Sequence, residues 1–384
     1  MIVENSTSEL KKKIYESTKD IKETKNVAER IALSNYIGNV SQAINCVEDG
    51  NIIVPDKKIY GSLKNRRKFH KKLDVYEDKM LNNFIRNKKY HCSYMGEVLS
   101  GVEENFLEVE DSELSPVTVL SDSDYYDIFF QFMKSINLEE LFDKFIKDRK
   151  IYSTELDYNE GCLGFTIFNP LKRDSDIFIK DFEYDIHSMF TLAHEFGHVY
   201  DLDHFDDTIE KYNDYFYKSF FGEAISKTFE RLFLDFMIKN NILLEETKDK
   251  LFECNLINHD YVLASYMLSL LPDKYIENNS YLRLTKDKFL DIIKKYFISE
   301  EAIKDYVYNS ASFGISEDFV YAYGDILSMF MKEYIDEDGL SNDMLEEFFR
   351  SRCDVFSEEF MRKWGMGPAN YVKLHEKQLQ YLKK

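Results

Sequence analysis

The stretch Thr191-Leu-Ala-His-Glu-Phe-Gly-His-Val199 decides how the rest of the chain is read. Residues four apart on an α-helix stand one above the other, so His194 and His198 would direct their imidazoles from one face toward a common point. Two imidazoles held that way can grip one metal ion. Glu195 is poorly placed to be a third ligand from the same turn, but its carboxylate can reach a water on the metal and take its proton.

Hydrolytic zinc sites usually have three protein ligands and keep one position open, so a further ligand must come from elsewhere in the chain. The segment Ser219-Phe-Phe-Gly-Glu-Ala-Ile-Ser-Lys-Thr-Phe-Glu-Arg-Leu-Phe233 can supply it. Phe220, Ile225, Phe229 and Phe233 give it the pattern of a buried amphipathic helix, in which Glu223 would be a costly lone charge unless a partner offset it. A metal ion is a natural partner. Glu230 lies seven residues on and on the same face, where it could accept the free ring N–H of a ligating histidine.

These two segments resemble the thimet oligopeptidase and oligoendopeptidase F family of zinc metallopeptidases, through Leu192-Ala-His-Glu-Phe-Gly-His198 and Glu223-Ala-Ile-Ser-Lys-Thr-Phe-Glu230. Weaker likenesses follow in order at Gly161-Cys-Leu-Gly-Phe165, Asp176-Ile-Phe-Ile-Lys-Asp-Phe182, Phe319-Val-Tyr-Ala-Tyr323 and residues 348–365, so the resemblance spans residues 120–370. It implies a mainly α, two-lobed helical peptidase with a small β-sheet next to the metal-binding helix. The ligands of one Zn2+ ion would be His194, His198 and Glu223, with Glu230 behind them. Glu195 would act as general base and then general acid, and Tyr321, or failing that Tyr323, would donate to the developing oxyanion. The implied substrates are short, flexible peptides entering a cleft between helical lobes.

The chain departs from the family at two places. No histidine stands near Phe313, and Asp201 occupies a position where relatives often have another histidine; an outer hydrogen bond and plain surface exposure are both open for Asp201. His187 shares the ligand-bearing face, either as a substrate contact or as a packed or surface residue. These departures, with the short chain, sustain a second reading: a catalytically weak, metal-bearing helical scaffold that binds peptides or a protein partner.

Composition sets the frame. In 384 residues, 31 Phe and 27 Tyr against 14 Gly and five Pro favour packed helices over many tight turns. Leu114-Ser-Pro-Val117 suggests a boundary, with an N-terminal helical lobe over 1–118 and the catalytic domain over 119–384. A net charge of −20 argues against nucleic acid as a partner. The basic run 58–72 reads as a solvated face. Five scattered cysteines, no secretory h-region and no apolar run long enough for a bilayer point to a cytoplasmic protein without a membrane partner.

Locally, Ser121 to Asp124 resembles a capped start for a helix over 125–136, followed by another over 138–146. The pattern then changes to short β-branched and aromatic runs over 160–170 and 175–182, with a turn at 170–173. The second run is taken as the exposed edge strand that pairs with an extended peptide. Asp185 is the expected N-cap of the metal helix, from Ile186 to Asp203.

Overall fold

The computed structural model describes residues 7–47, 94, 97, 98, 101, 120–155, 162–204, 215–242, 317–350 and 358–382. The expected basic run 58–72, most of the helical pattern over 73–114 and the segment 245–316 lie outside them. The fold is mainly helical with one three-stranded sheet beside the helix that carries the histidines. No described helix is long and apolar enough to cross a membrane. The chain divides into two compact units, Met1–Asp78 with Val117–Phe236, and Lys79–Pro116 with Met237–Lys384. One crossing point falls at Val117, and the first two helices belong to the same unit as the histidine-bearing segment.

The first unit opens with α1 (Ser8–Glu23) and α2 (Val27–Val47), then α3 (Asp122–Ser135) and α4 (Glu139–Lys147). Ser121 caps α3 by accepting from Asp124 N at 3.2 Å. The sheet follows, with β1 (Ile151–Thr154), β2 (Gly164–Asn169) and β3 (Asp174–Lys180) in the order β1-β3-β2. β2 and β3 form a hairpin whose loop is closed by Asn169 Oδ1, which accepts from the backbone of Leu171 and Lys172 at 3.1 and 3.2 Å. β1 lies parallel to β3 on its other side.

This topology corrects the expected peptide-binding edge. β3, the run read as exposed, is the central strand, with Ile177 paired to Ile151 on one side and Thr166 on the other. Its backbone hydrogen bonds are already taken up on both flanks. Among the described residues, β2 is the edge strand of the hairpin.

Strand side chains alternate between the two faces of the sheet. Tyr152, Phe165, Ile167 and Phe178 point to one face and pack with Leu10, Tyr36, Val40 and Ile44 of α1 and α2. On the same face Lys13 Nζ reaches Asp176 at 2.6 Å and Asp174 at 3.2 Å, while Lys150 also bonds Asp174. The opposite face of β2 carries Gly164 and Thr166 and lies against α5 (Ile186–Asp203). Asp185, in extended conformation, starts α5 as expected by accepting from Ser188 N at 2.6 Å. Almost every side of α5 is buried, as fits a helix packed between a sheet and other helices.

Away from the sheet, Phe196 of α5 meets Phe129, Phe142 and Phe145, and Phe233 of α6 (Tyr215–Lys239) meets Phe129, Phe132 and Phe190. Full burial of one such ring contributes about 1.5–3 kcal/mol, so this cluster is the main glue between α3, α4, α5 and α6. The two histidine-site helices also touch directly. A β-carbon at Gly197 would stand 2.5 Å from Ser226 Cα and 3.0 Å from its N, closer than real atoms approach.

The second unit contains α7 (Glu317–Asp338), α8 (Asp343–Arg350), α9 (Glu358–Lys363) and α10 (Pro368–Leu382). Pro368 opens α10 at the first-turn position that tolerates its missing N–H. Tyr94 stacks on Tyr323 at 6.3 Å between centroids and donates to Met366 O at 2.9 Å.

Replacing a helical glycine by alanine ordinarily stabilises by about 1 kcal/mol. At Gly197 the sign should reverse, because the clash is with backbone and overpacking costs about 1–3 kcal/mol. We expect Gly197→Ala to unfold at lower urea than the parent. A more stable variant would show that the two helices have room to spare.

Candidate metal centre

The close crossing at Gly197 and Ser226 sets the whole site. From Ser226, Glu223 is one turn back and Glu230 one turn on, so both carboxylates ride the stripe of α6 that faces α5. Ser226 and Thr228 return their hydroxyls to the carbonyls of Gly222 and Ala224 at 3.0 and 2.6 Å, which lets polar residues sit in a buried helix without loose donors. Gly222 is the second small residue of the contact: a β-carbon there would come 3.3 Å from His198 Nδ1 and 3.5 Å from Asp201 Oδ2.

On α5 the Nε2 atoms of His194 and His198 are 3.1 Å apart. Glu223 offers one oxygen to each, 3.6 Å from His194 Nε2 and 3.6 Å from His198 Nε2. Ligand atoms on a tetrahedral zinc at about 2.0–2.1 Å stand about 3.3–3.4 Å from one another. The three separations bracket that value, and the set of two imidazoles and a carboxylate has the chemistry such an ion takes, so the residues fit it. Glu195 is a rival carboxylate, with His194, Glu195 and His198 atoms all within 4.8 Å of one another. It is engaged elsewhere, however, since Thr166 Oγ1 donates to Glu195 Oε2 at 2.7 Å.

The second ring nitrogen of His194 has its own partner. His194 Nδ1 lies 2.6 Å from Glu230 Oε1, and Lys227 Nζ sits 2.9 and 3.2 Å from the two oxygens of Glu230. A carboxylate on Nδ1 assigns the proton to that nitrogen and turns Nε2 toward the shared point.

The charges follow from burial and neighbours. Burial would raise Glu230, but Lys227 and His194 outweigh it and hold the carboxyl down at about 2. Burial would lower His194, yet Glu223, Glu230 and then Glu195 overcome it and lift the imidazole to about 9. His198 is held well below its usual value by burial and then by the positive His194 and Lys227. His194 is thus pushed toward the charged form and His198 toward the neutral one. Glu195 is pushed up to about 7 by burial, against the pull of His194 and of the Thr166 hydroxyl.

The structure therefore brings together five of the expected site residues: His194, Glu195, His198, Glu223 and Glu230. Tyr321 and Tyr323 belong to α7 of the second unit; Tyr321 is 41% exposed and Tyr323 only 1%. Asp201 is fully buried, which removes surface exposure as its explanation. His187 is half-buried in the first turn of α5, outside the cluster of His194, Glu195 and His198. Sequence reasoning missed Thr166 and Lys227. The spacing of Lys227, three before Glu230, was a usable signal, whereas Thr166 meets Glu195 only once the sheet is built.

No family model matches the chain, and no curated protein matches it. Among solved structures it is similar to two provisionally named oligoendopeptidase F chains, one of them from Bacillus anthracis strain Ames, and to PZ peptidase A with an inhibitor. Identities are 13%, 12% and 13%, with TM-scores of 0.45, 0.45 and 0.46. The matches cover 91%, 92% and 97% of this chain and 63%, 61% and 75% of those chains. The chain thus spans less than two thirds of the two oligoendopeptidase F chains.

A metal entering between the imidazoles must displace the proton held on His194, whose pKa is raised to about 9. Apparent zinc affinity should therefore fall about tenfold for each pH unit between about 9 and 7, and level off above 9. Competition with a chelator across that range measures it. A flat profile would mean that His194 holds no proton for the metal to displace.

Proposed function

We propose that the chain is a zinc-dependent endopeptidase acting on short peptides, with His194, His198 and Glu223 holding the ion. The single observation that supports this reading is the convergence of two Nε2 atoms 3.1 Å apart with a carboxylate 3.6 Å from each. Imidazole nitrogens with one carboxylate suit zinc better than magnesium or calcium, which prefer oxygen. When bound, the ion would supply Lewis acidity, lowering the pKa of water toward neutrality and polarising a carbonyl oxygen.

The rest of the chemistry falls to the chain's own groups. Glu230, steadied by Lys227, holds His194 through Nδ1 and fixes which ring nitrogen is presented. Glu195, raised to about 7, can take a proton near neutral pH and return it to the leaving nitrogen, which is what a general base and then general acid must do. The near-complete burial of Glu195 keeps bulk water from competing for that proton.

Tyr321 is our candidate for donating to the oxyanion. That assignment rests on the resemblance of the segment around it, and Tyr323 is packed against Tyr94. For pairing with an extended peptide, β2 takes the role first given to β3, because an added strand needs an edge. The cytoplasmic assignment rests on the scatter of the five cysteines along the sequence, with no spacing that suggests a disulfide framework.

Purified protein should cleave a quenched peptide with zinc and lose that activity on chelation. Glu195→Gln should keep zinc and lose nearly all hydrolysis, whereas Glu223→Ala should lose both. Tyr321→Phe should lower kcat by about 100-fold with zinc content unchanged. Zinc retained by the wild-type protein with no turnover of any peptide would turn the reading toward a metal-bearing binding scaffold.

A further inference from the structure

The edge strand β2 presents two residues to α5, and both meet the carboxylate of Glu195. Thr166 Oγ1 donates to Glu195 Oε2 at 2.7 Å and lies 3.3 Å from the Glu195 carbonyl oxygen. Gly164, two residues earlier and on the same face, leaves bare backbone beside the other oxygen: a β-carbon there would stand 2.9 Å from Glu195 Oε1 and 2.7 Å from Thr191 Cγ2. The carboxylate is thus bonded on one oxygen and walled on the other by a single short piece of strand.

We propose that Thr166 is the positioning residue for Glu195. The inference rests on Glu195 being the general base of the peptidase reading above. A glutamate has three side-chain torsions and loses up to about 2 kcal/mol of rotamer freedom when fixed, so a base held only by its own helix would wander. A misplacement of about 1 Å can cost about a hundredfold in rate. The Thr166 hydroxyl removes that freedom by occupying Oε2, which leaves Oε1 as the oxygen that takes and returns the proton. This hydroxyl acts on Glu195 rather than on a metal ligand. Strand alternation makes the arrangement dependable, because half-buried Phe165 and buried Ile167, packed on the opposite face, keep Thr166 turned toward α5.

Thr166→Val keeps the shape and removes the hydroxyl, while Thr166→Ser keeps the hydroxyl. We expect Thr166→Val to lower kcat by about 10- to 100-fold with KM and zinc affinity within about twofold of wild type, and Thr166→Ser to recover most of the loss. In a Glu195→Gln background, Thr166→Val should add nothing, since it acts through the base. Crystals of the metal-free proteins give a readout independent of turnover: Glu195 should hold one position in the wild type and in Thr166→Ser, and shift or split in Thr166→Val. The proposal is overturned by a wild-type kcat in Thr166→Val, by equal losses in zinc affinity and KM, or by an unmoved Glu195. If wild-type protein loaded with zinc cleaves no peptide, the functional reading fails, and the metal-free crystals still decide whether Thr166 holds Glu195.

Discussion

Two helix backbones can approach as closely as α5 and α6 do only where one of them lacks a side chain, and Gly197 supplies that gap opposite Ser226. Moving the helices apart by a methyl group would carry Glu223 and Glu230 away from the histidines together, because both lie on the stripe of α6 centred on Ser226. Sub-ångström control of a donor set is thereby vested in a residue that donates nothing. Gly222 repeats the device one turn away, where the α6 backbone rests against the His198 ring and the buried Asp201.

Once the helices are in place, the charges order themselves. Three carboxylates and two imidazoles share a site from which bulk water is largely excluded, and their environments push them apart in protonation. Glu230 stays ionised under Lys227 and His194, Glu195 rises toward neutrality, and the two imidazoles split into one charged and one neutral ring. Carboxylates tuned to such different values can do different jobs at one pH, and in the proposed reading Glu230 orients while Glu195 moves a proton. Lys227 is central to this division, since its ammonium neutralises the carboxylate that would otherwise resist burial.

What the sequence made legible is what local periodicity and capping encode. The metal helix was readable from Asp185 to Asp203 because a cap, a 3.6-residue pattern and the H-E-x-x-H spacing all agree there. The hairpin of β2 and β3 was readable from its alternation and from the turn at Pro170. The strand β1 was not, since Ile151-Tyr-Ser-Thr154 is too short to show a period and pairs with β3 across intervening sequence. That one omission turned a central strand into a supposed edge. Glu223 and Glu230 were legible because spacing on one helix places them together, and Thr166 was hidden because its meeting with Glu195 is purely tertiary. The role of Gly197, embedded in the motif itself, is also tertiary, as nothing local says what lies 2.5 Å away.

The ion pairs of Lys13 on the far face of the sheet have a bearing on strand register. β3 carries Asp174 and Asp176 on the same side as Phe178, and Lys13 and Lys150 are stationed there to receive them. Sliding β3 by one residue would send both aspartates through to the face that meets α5, away from Lys13 and Lys150 and toward Glu195. Such a slip would bury two unmatched negative charges beside a third. The cation on α1 thus acts as a proofreading element for the sheet: only the register that keeps acid away from the proton-transfer face finds its counter-charge, so the identity of a residue near the start of the chain guards the electrostatics of a centre built almost two hundred residues later.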